Sequence, residues 1–253
     1  MNSLSLGLDD ALRLTLERLR PLPAESAALH ESVDRVAAAS LAALVDSPPT
    51  ATSRKDGYAV RRREAAQATP ANPVRLRLLG RLAAGESRDL RLEPGTAVRV
   101  LTGARIPGGA DAVVAEEFAT LDGEHVLIRD FADTAKNILA QGGDVAAGQP
   151  VLRPGQVITP QTAGLLAAAG HHLAPVHARP VVGILATGDE IVAPGRPLGE
   201  GGLYASNAVT LAGFCRRHQM PTRLLLVPDD LEAMRRGGGG GGGPPPPPPP
   251  TPF

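Results

Sequence analysis

The sequence predicts a mixed α/β, multidomain protein, and three observations carry that reading. Apolar residues recur at helical spacing near the start, and cap and stop residues bound a second helix after residue 159. Between about residues 50 and 143 apolar residues alternate in short runs instead, as half-buried strands do. From Arg179 onward a strand–helix–strand order follows, the pattern of a parallel sheet with crossover helices. The 253 residues allow one large or two ordinary domains at about 100–200 residues each. Hydrophobic residues, at 43%, suffice for sizeable cores.

Taken in order, Leu8, Ala11, Leu12, Leu16 and Leu19 define one face of a first helix, with Asp9 and Asp10 in its opening turn and Pro21 to stop it. Leu29 to Val45 is rich in Ala and Val with mixed periodicity, read as one short helix and one strand. Asp46-Ser47-Pro48-Pro49 breaks regular structure and marks a boundary. Val74, Leu76 and Leu78 then alternate with Arg75 and Arg77. Val98, Val100 and Thr102 alternate next, before a Pro107-Gly108-Gly109 turn and Ala112-Val113-Val114. Asp122-Gly123, between Phe118-Ala119-Thr120-Leu121 and Val126-Leu127-Ile128, is a hairpin signal. This block reads as a small β module.

Beyond the Pro154-Gly155 turn, Thr159-Pro160 caps and opens a helix over Gln161 to Ala169, which Gly170 ends. Val181 to Ala186 is a buried apolar strand, Asn207 to His218 a helix after Ser206, and Arg223 to Val227 the next strand. Asp229-Asp230 opens a further helix. Gly237 to Gly243 and Pro244 to Pro250 are uninterrupted runs. Neither can join a packed core, so residues 237–253 are expected to form a disordered, low-complexity tail. Its abruptness reads as a frameshift, slippage or assembly error in a GC-rich gene.

Composition excludes several classes. Lys+Arg and Asp+Glu both number 26, which argues against nucleic acid or a membrane surface as a partner gripped by bulk charge. Only Lys55 and Lys136 among the cations are lysines. One cysteine, Cys215, rules out a disulfide framework and a Cys-based metal cluster; beside Leu211 and Phe214 it reads as core. No apolar run approaches the roughly 20 residues of a membrane span. Met1-Asn2-Ser3-Leu4-Ser5 lacks a signal-peptide pattern, so a cytoplasmic location is expected.

Several short constellations could carry chemistry. Asp189-Glu190 follows a buried strand through Thr187-Gly188, and Asp229-Asp230 follows the next strand through Pro228. Adjacent carboxylates are usually solvated charges, but the carboxyl ends of strands in an open α/β sheet form the ligand crevice. Carboxylates there, with a hydroxyl and a glycine nearby, suit Mg²⁺ beside a phosphorylated ligand. Lys55-Asp56-Gly57-Tyr58-Ala59-Val60 reads equally as a turn entering a strand. Thr102-Gly103-Ala104 reads equally as a bend, and Asp144 as the cap of a turn. The six histidines have no ligand spacing.

The order of the motifs is more specific than any one of them. Asp56-Gly57-Tyr58-Ala59-Val60, Thr102-Gly103-Ala104, Ala112-Val113-Val114, Lys136-Asn137-Ile138, Gly143-Asp144-Val145, Thr187-Gly188-Asp189-Glu190 and Asn207 together resemble the molybdopterin molybdenumtransferase family, similar to the gephyrin E domain, from Leu8 to about Arg236. The resemblance implies an elongated homodimer. Residues 1–46 with 144–178 would form a discontinuous linker domain, 47–143 an inserted β module, and 179–236 an incomplete three-layer α/β/α molybdopterin-binding domain with parallel strands. It implies insertion of molybdate into adenylylated molybdopterin with release of AMP, in the last step of molybdenum cofactor synthesis. It also implies Mg²⁺, and the molybdopterin adenylyltransferase as a partner.

By the same resemblance Glu190 and Asp229 would hold the metal, with Glu190 also catalytic. Thr187, Gly188, Asp189 and Asn207 would bind the pterin nucleotide. Asp56, Thr102 and Asp144 would complete the cleft from the partner's β module. Three departures stand out. Ser53-Arg54-Lys55 replaces the family's Ser-Ala-Met, which places two cations beside Asp56. Leu139-Ala140-Gln141-Gly142-Gly143 follows Lys136-Asn137-Ile138 where the family has arginines and Gly-Glu. Arg236 leads into poly-Gly where the family has a Ser-Gly-Gly phosphate cradle, a Lys-Pro-Gly-Lys-Pro stretch and a C-terminal β domain. A C-terminally truncated member with little or no transferase activity is therefore expected, the alternative being a non-catalytic dimerising fragment or a ligand-binding relative.

Overall fold

The computed structural model describes residues 7–130, 135–230 and 232. The tail expected from Gly237 lies outside the described residues, as does most of the helix expected after Asp230. The chain divides into two compact units, one of Ser26–Val176 and one of Met1–Glu25 with His177–Phe253. In the second unit, α1 (Leu8–Arg18) forms where the leucine spacing predicts it. Asp9 and Asp10 at its start and Arg18 at its end complement the helix dipole. None of its residues is buried.

In chain order the strands of the Ser26–Val176 unit begin with β1 (Ala24–Ala28), β2 (Leu41–Ala42), β3 (Thr52–Ser53) and β4 (Gly57–Val60). A single helical turn, α2 (Arg62–Ala65), precedes β5 (Val74–Leu82), β6 (Thr96–Val100) and β7 (Ala112–Ala115). A 3₁₀ turn, Glu116–Phe118, leads into β8 (Ala119–Asp122) and β9 (His125–Ile128). The unit continues with β10 (Ile138–Leu139), β11 (Pro150–Leu152), α3 (Pro160–Ala168) and β12 (Leu173–His177).

Six of these strands form a mixed sheet in the order β7-β4-β6-β5-β9-β8, antiparallel throughout except for β5 with β6. Apolar residues cover both of its faces. Tyr58, Val60, Ala97, Val114 and Ile128 belong to one cluster, and Ala59, Val98, Val100 and Val113 to the other. The inner strands therefore read as continuous apolar runs, as strands buried on both sides do. The hairpin forms as expected, but Asp122 pairs with His125, so its two-residue loop is Gly123-Glu124, with Gly123 at φ 61°.

Residues 29–45 depart from expectation: they form turns and the short strand β2, and no helix. The reason is tertiary. The N–H groups of Asp34, Ala37, Ala38 and Ala43 donate to the carbonyls of Ile158, Gln156, Pro175 and Gln149, each at 2.8–2.9 Å, so donors that a helix would use are taken by residues more than a hundred positions on. Ala37, Ala43, Val145, Leu152, Ile158 and Leu166 share one core. α3 follows expectation closely: the Thr159 side chain accepts from Thr162 N–H, Pro160 opens the helix, and Gly170 follows at φ 92°.

In the other unit β13 (Val182–Thr187) precedes the short parallel pair β14 (Ile191–Val192) and β15 (Leu203–Tyr204). Then come α4 (Ser206–Arg217) and β16 (Thr222–Val227). β13 and β16 are parallel and in register from Val182–Thr222 to Thr187–Val227. Ala208 and Cys215 of α4 pack with Ile184, so the cysteine is core. Leu185, Leu224 and Leu225 remain 40–45% exposed. Local stability follows burial. In hydrogen-exchange mass spectrometry, amides of β13 are expected to exchange faster than those of β4, β6 and β7; equal protection would contradict this.

Candidate functional site

Asp56 stands just before β4, and Gly57 decides where its carboxylate goes. A Cβ on Gly57 would run into the Val114 carbonyl oxygen of β7, so only glycine lets these backbones approach so closely. Asp56 is thereby delivered to the turn that follows β6. Its Oδ1 accepts hydrogen bonds from Thr102 N–H and Thr102 Oγ, both at 2.7 Å, and its carbonyl accepts from Glu116 N–H at 3.0 Å. The Thr102 N–H, then the Thr102 hydroxyl, hold the Asp56 carboxyl below its ordinary value of 3.8; Arg99 and Arg81 lower it further.

Both arginines come from the sheet. Arg99 lies opposite Tyr58 on β4 and opposite Arg81 on β5. Arg99 pairs with Glu116 at 3.1 Å, and burial pushes the neighbouring Tyr58 phenol up. Ser53, 2% exposed, anchors the loop before Asp56. Its N–H donates to Ala104 O and its carbonyl accepts from Gly103 N–H, while its Oγ donates to Lys55 O at 2.6 Å. Arg54 N–H donates to Asn137 O at 2.8 Å, beside the β3–β10 pair that joins Ser53 to Ile138. The two cations that depart from the family pattern thus adjoin the segment where its arginines are missing.

Asp144 is exposed on the turn after Gly142-Gly143, with its N–H on Ser47 O at 2.9 Å. Among the described residues no hydrogen bond joins its carboxylate to Asp56 or Thr102. Its turn is clamped by Asp46, which sequence reasoning took only as part of a break. The Asp46 carboxylate accepts from Ala147 N–H at 2.8 Å and Gln141 Nε2 at 2.6 Å, and these bonds lower its pKa in that order.

The remaining sequence-predicted residues lie in the other unit. Thr187 ends β13, and Gly188, at φ 140°, leaves room for the Glu190 carboxylate to fold back. A Cβ on Gly188 would stand 2.7 Å from Glu190 Oε2. Asp189 Oδ1 accepts from Asp229 N–H at 3.1 Å, tying the tips of β13 and β16 together. Asn207 is exposed in the first turn of α4, and it lines a cavity of about 520 Å³ with Thr187, Ile191, Tyr204 and Leu211. A smaller cavity, about 220 Å³, is lined by Gly188, Asp189, Ile191, Leu226, Val227 and Pro228.

Among the described residues no three His, Cys, Asp or Glu side chains converge as a ligand set. Glu190 and Asp229 are exposed oxygen donors at neighbouring tips. They fit the way Mg²⁺ is commonly held, through one or two carboxylates completed by phosphate oxygens and water. No helix among the described residues is long and apolar enough to cross a membrane.

Residues 6–170 match the family described as the MoeA N-terminal region, domains I and II. The chain is 39% identical over 204 residues to molybdopterin molybdenumtransferase 2 of Mycobacterium tuberculosis, across 81% of this chain and 50% of that protein. It is 36% identical over 232 residues to molybdopterin molybdenumtransferase of Bacillus subtilis, across 90% and 54%. It thus spans about half the length of the curated relatives it matches. The crystal structure of the molybdopterin biosynthesis MoeA protein of Pyrococcus horikoshii is similar with a TM-score of 0.82 at 32% identity, over 90% of this chain and 62% of that one.

A depressed carboxyl stabilises the fold fully above its unfolded value, and that contribution is lost as pH falls through the folded one. Asp56 therefore contributes stability above 3.8 that disappears below it. Denaturation midpoints from about pH 2 to 6 are expected to fall less steeply with acid in Asp56→Asn than in the wild type. Identical slopes would contradict the hydrogen-bond assignment.

Proposed function

This chain belongs to the MoeA family, whose curated members are molybdopterin molybdenumtransferases, and we propose that it serves the same reaction: molybdate enters adenylylated molybdopterin, and AMP leaves. The observation that carries the reading is the Asp56–Thr102 junction, built from two motif residues 46 positions apart. The ionised Asp56 carboxylate would orient the pterin nucleotide, and Thr102 fixes that carboxylate in place. Asp144 would add a second acid from its clamped turn.

Thr187, Gly188, Asp189 and Asn207 would bind the nucleotide and pterin beside the cavity at the start of α4. Glu190 and Asp229 would hold Mg²⁺, which supplies neutralisation of phosphate charge and orientation of the leaving phosphate. We assign residues 1–46 with 144–178 to a linker domain, 47–143 to an inserted module, and 179–236 to the molybdopterin-binding domain. In the proposed homodimer, Asp56, Thr102 and Asp144 of one protomer serve the substrate held by its partner. The molybdopterin adenylyltransferase is the proposed source of that substrate.

A second reading, a dimerising segment without catalysis, is favoured by α1 and its C-terminal cap, where Leu8, Leu12, Leu16 and Leu19 are 85%, 56%, 59% and 61% exposed. The purified chain, given adenylylated molybdopterin, Mg²⁺ and molybdate, is expected to release AMP at least about tenfold faster than Glu190→Ala. Equal release in both overturns the transferase reading, and a dimer by sedimentation under the same conditions would then favour the second.

A further inference from the structure

The sequence holds two Asp-Gly dipeptides, Asp56-Gly57 and Asp122-Gly123. Aspartate before glycine is open to isomerisation, because glycine has no Cβ to shield its nitrogen and leaves the backbone free to turn. The glycine nitrogen attacks the aspartate side-chain carboxyl carbon. The amide proton and the carboxyl hydroxyl leave as water, and a succinimide ring closes. Water then opens the ring at either carbonyl and gives aspartate or isoaspartate, so the atoms balance without a co-reactant. Closure needs a carboxyl free to swing onto the next nitrogen, and a nitrogen free to receive it. At Asp56 neither is free. Its Oδ1 is held by Thr102 N–H and Thr102 Oγ, both at 2.7 Å. Gly57 is buried between Val100 and Ala115 of the flanking strands, with the Val114 carbonyl oxygen in the place of a Cβ.

Asp122-Gly123 stands in the opposite situation, exposed at the tip of the β8–β9 hairpin. Gly123 lies outside the ladder at φ 61°, and among the described residues its N–H has no hydrogen bond. One restraint acts on the Asp122 carboxylate: its Oδ2 pairs with Arg75 Nε at 3.0 Å, both side chains about half exposed. An exposed pair of that kind restrains weakly. We infer that Asp122-Gly123 is a site of spontaneous isoaspartate formation, slowed by Arg75, and that the fold withholds the same chemistry from Asp56-Gly57. Isoaspartate inserts an extra carbon into the main chain where Asp122 pairs with His125. The change therefore falls on the edge strand β8, three strands away from β4. The inference is independent of the transferase reading.

The test ages the whole chain at neutral pH and physiological temperature in heavy-oxygen water, which labels each succinimide that hydrolyses. Peptide mapping with electron-transfer fragmentation then locates label and isoaspartate. Residue 122 is expected to convert at least about tenfold faster than residue 56, since bonds to a charged group hold the Asp56 carboxylate in place. Arg75→Ala is expected to speed conversion at 122 about twofold. In concentrated urea the two dipeptides are expected to convert at similar rates, because the protection belongs to the fold. Equal conversion at both sites in the folded chain, or none at 122, overturns the assignment. So does a difference that persists in urea, and a rate at 122 that Arg75→Ala leaves unchanged refutes the restraint by Arg75.

Discussion

The contact between β4 and β7 at Gly57 is the constraint on which the sheet end depends. Because the Val114 carbonyl occupies the place of a Cβ, residue 57 has no side chain, and β4 lies flush between β6 and β7. The residue before it must then emerge beside the turn after β6. Thr102 meets Asp56 there with two donors, and the carboxylate stays ionised to a lower pH than an isolated turn aspartate would. Arg81 and Arg99 gather at the same place because the strands carrying them are pinned in that register, and Glu116, the first residue after β7, joins them through its ion pair with Arg99.

The strand-tip group follows a different logic. Parallel register places Thr187 and Val227 side by side, so the segments after them leave the pair together, and Asp189 joins Asp229 through one hydrogen bond. Gly188 takes a backbone conformation that side chains disfavour and yields its side-chain space to Glu190. Exposed carboxylates at such tips suit a hard cation that brings its own phosphate ligands. Burial is slight here: Ile184 is the one residue of β13 below a tenth exposed.

Local chemistry was legible in the sequence where it decided structure. Thr159, Pro160 and Gly170 bound α3 through capping and backbone preferences that act within a turn, and the leucine period of α1 needs no partner to be read. Residues 29–45 were not legible, because their N–H groups pair with carbonyls near residues 149–175, a choice no local pattern records. Arg81 and Arg99 were missed for a related reason. β5 shifts register between Leu78 and Arg81, which breaks the alternation that would have placed Arg81 on the Asp56 side. Asp46 looked like a breaker, and only the folded loop reveals it as the clamp on Gln141 and Ala147. Family membership, by contrast, was legible from the order of short motifs, each of which had an ordinary structural meaning alone.

The central claim is that the close approach at Gly57 sets the position and charge of Asp56. Its most direct test is the NMR pH titration of the Asp56 carboxyl carbon in the wild type and in Gly57→Ala. The account predicts a wild-type midpoint below 3.8 that moves back toward that value in the variant. A wild-type midpoint at or above 3.8, or one that Gly57→Ala leaves unmoved, would contradict it.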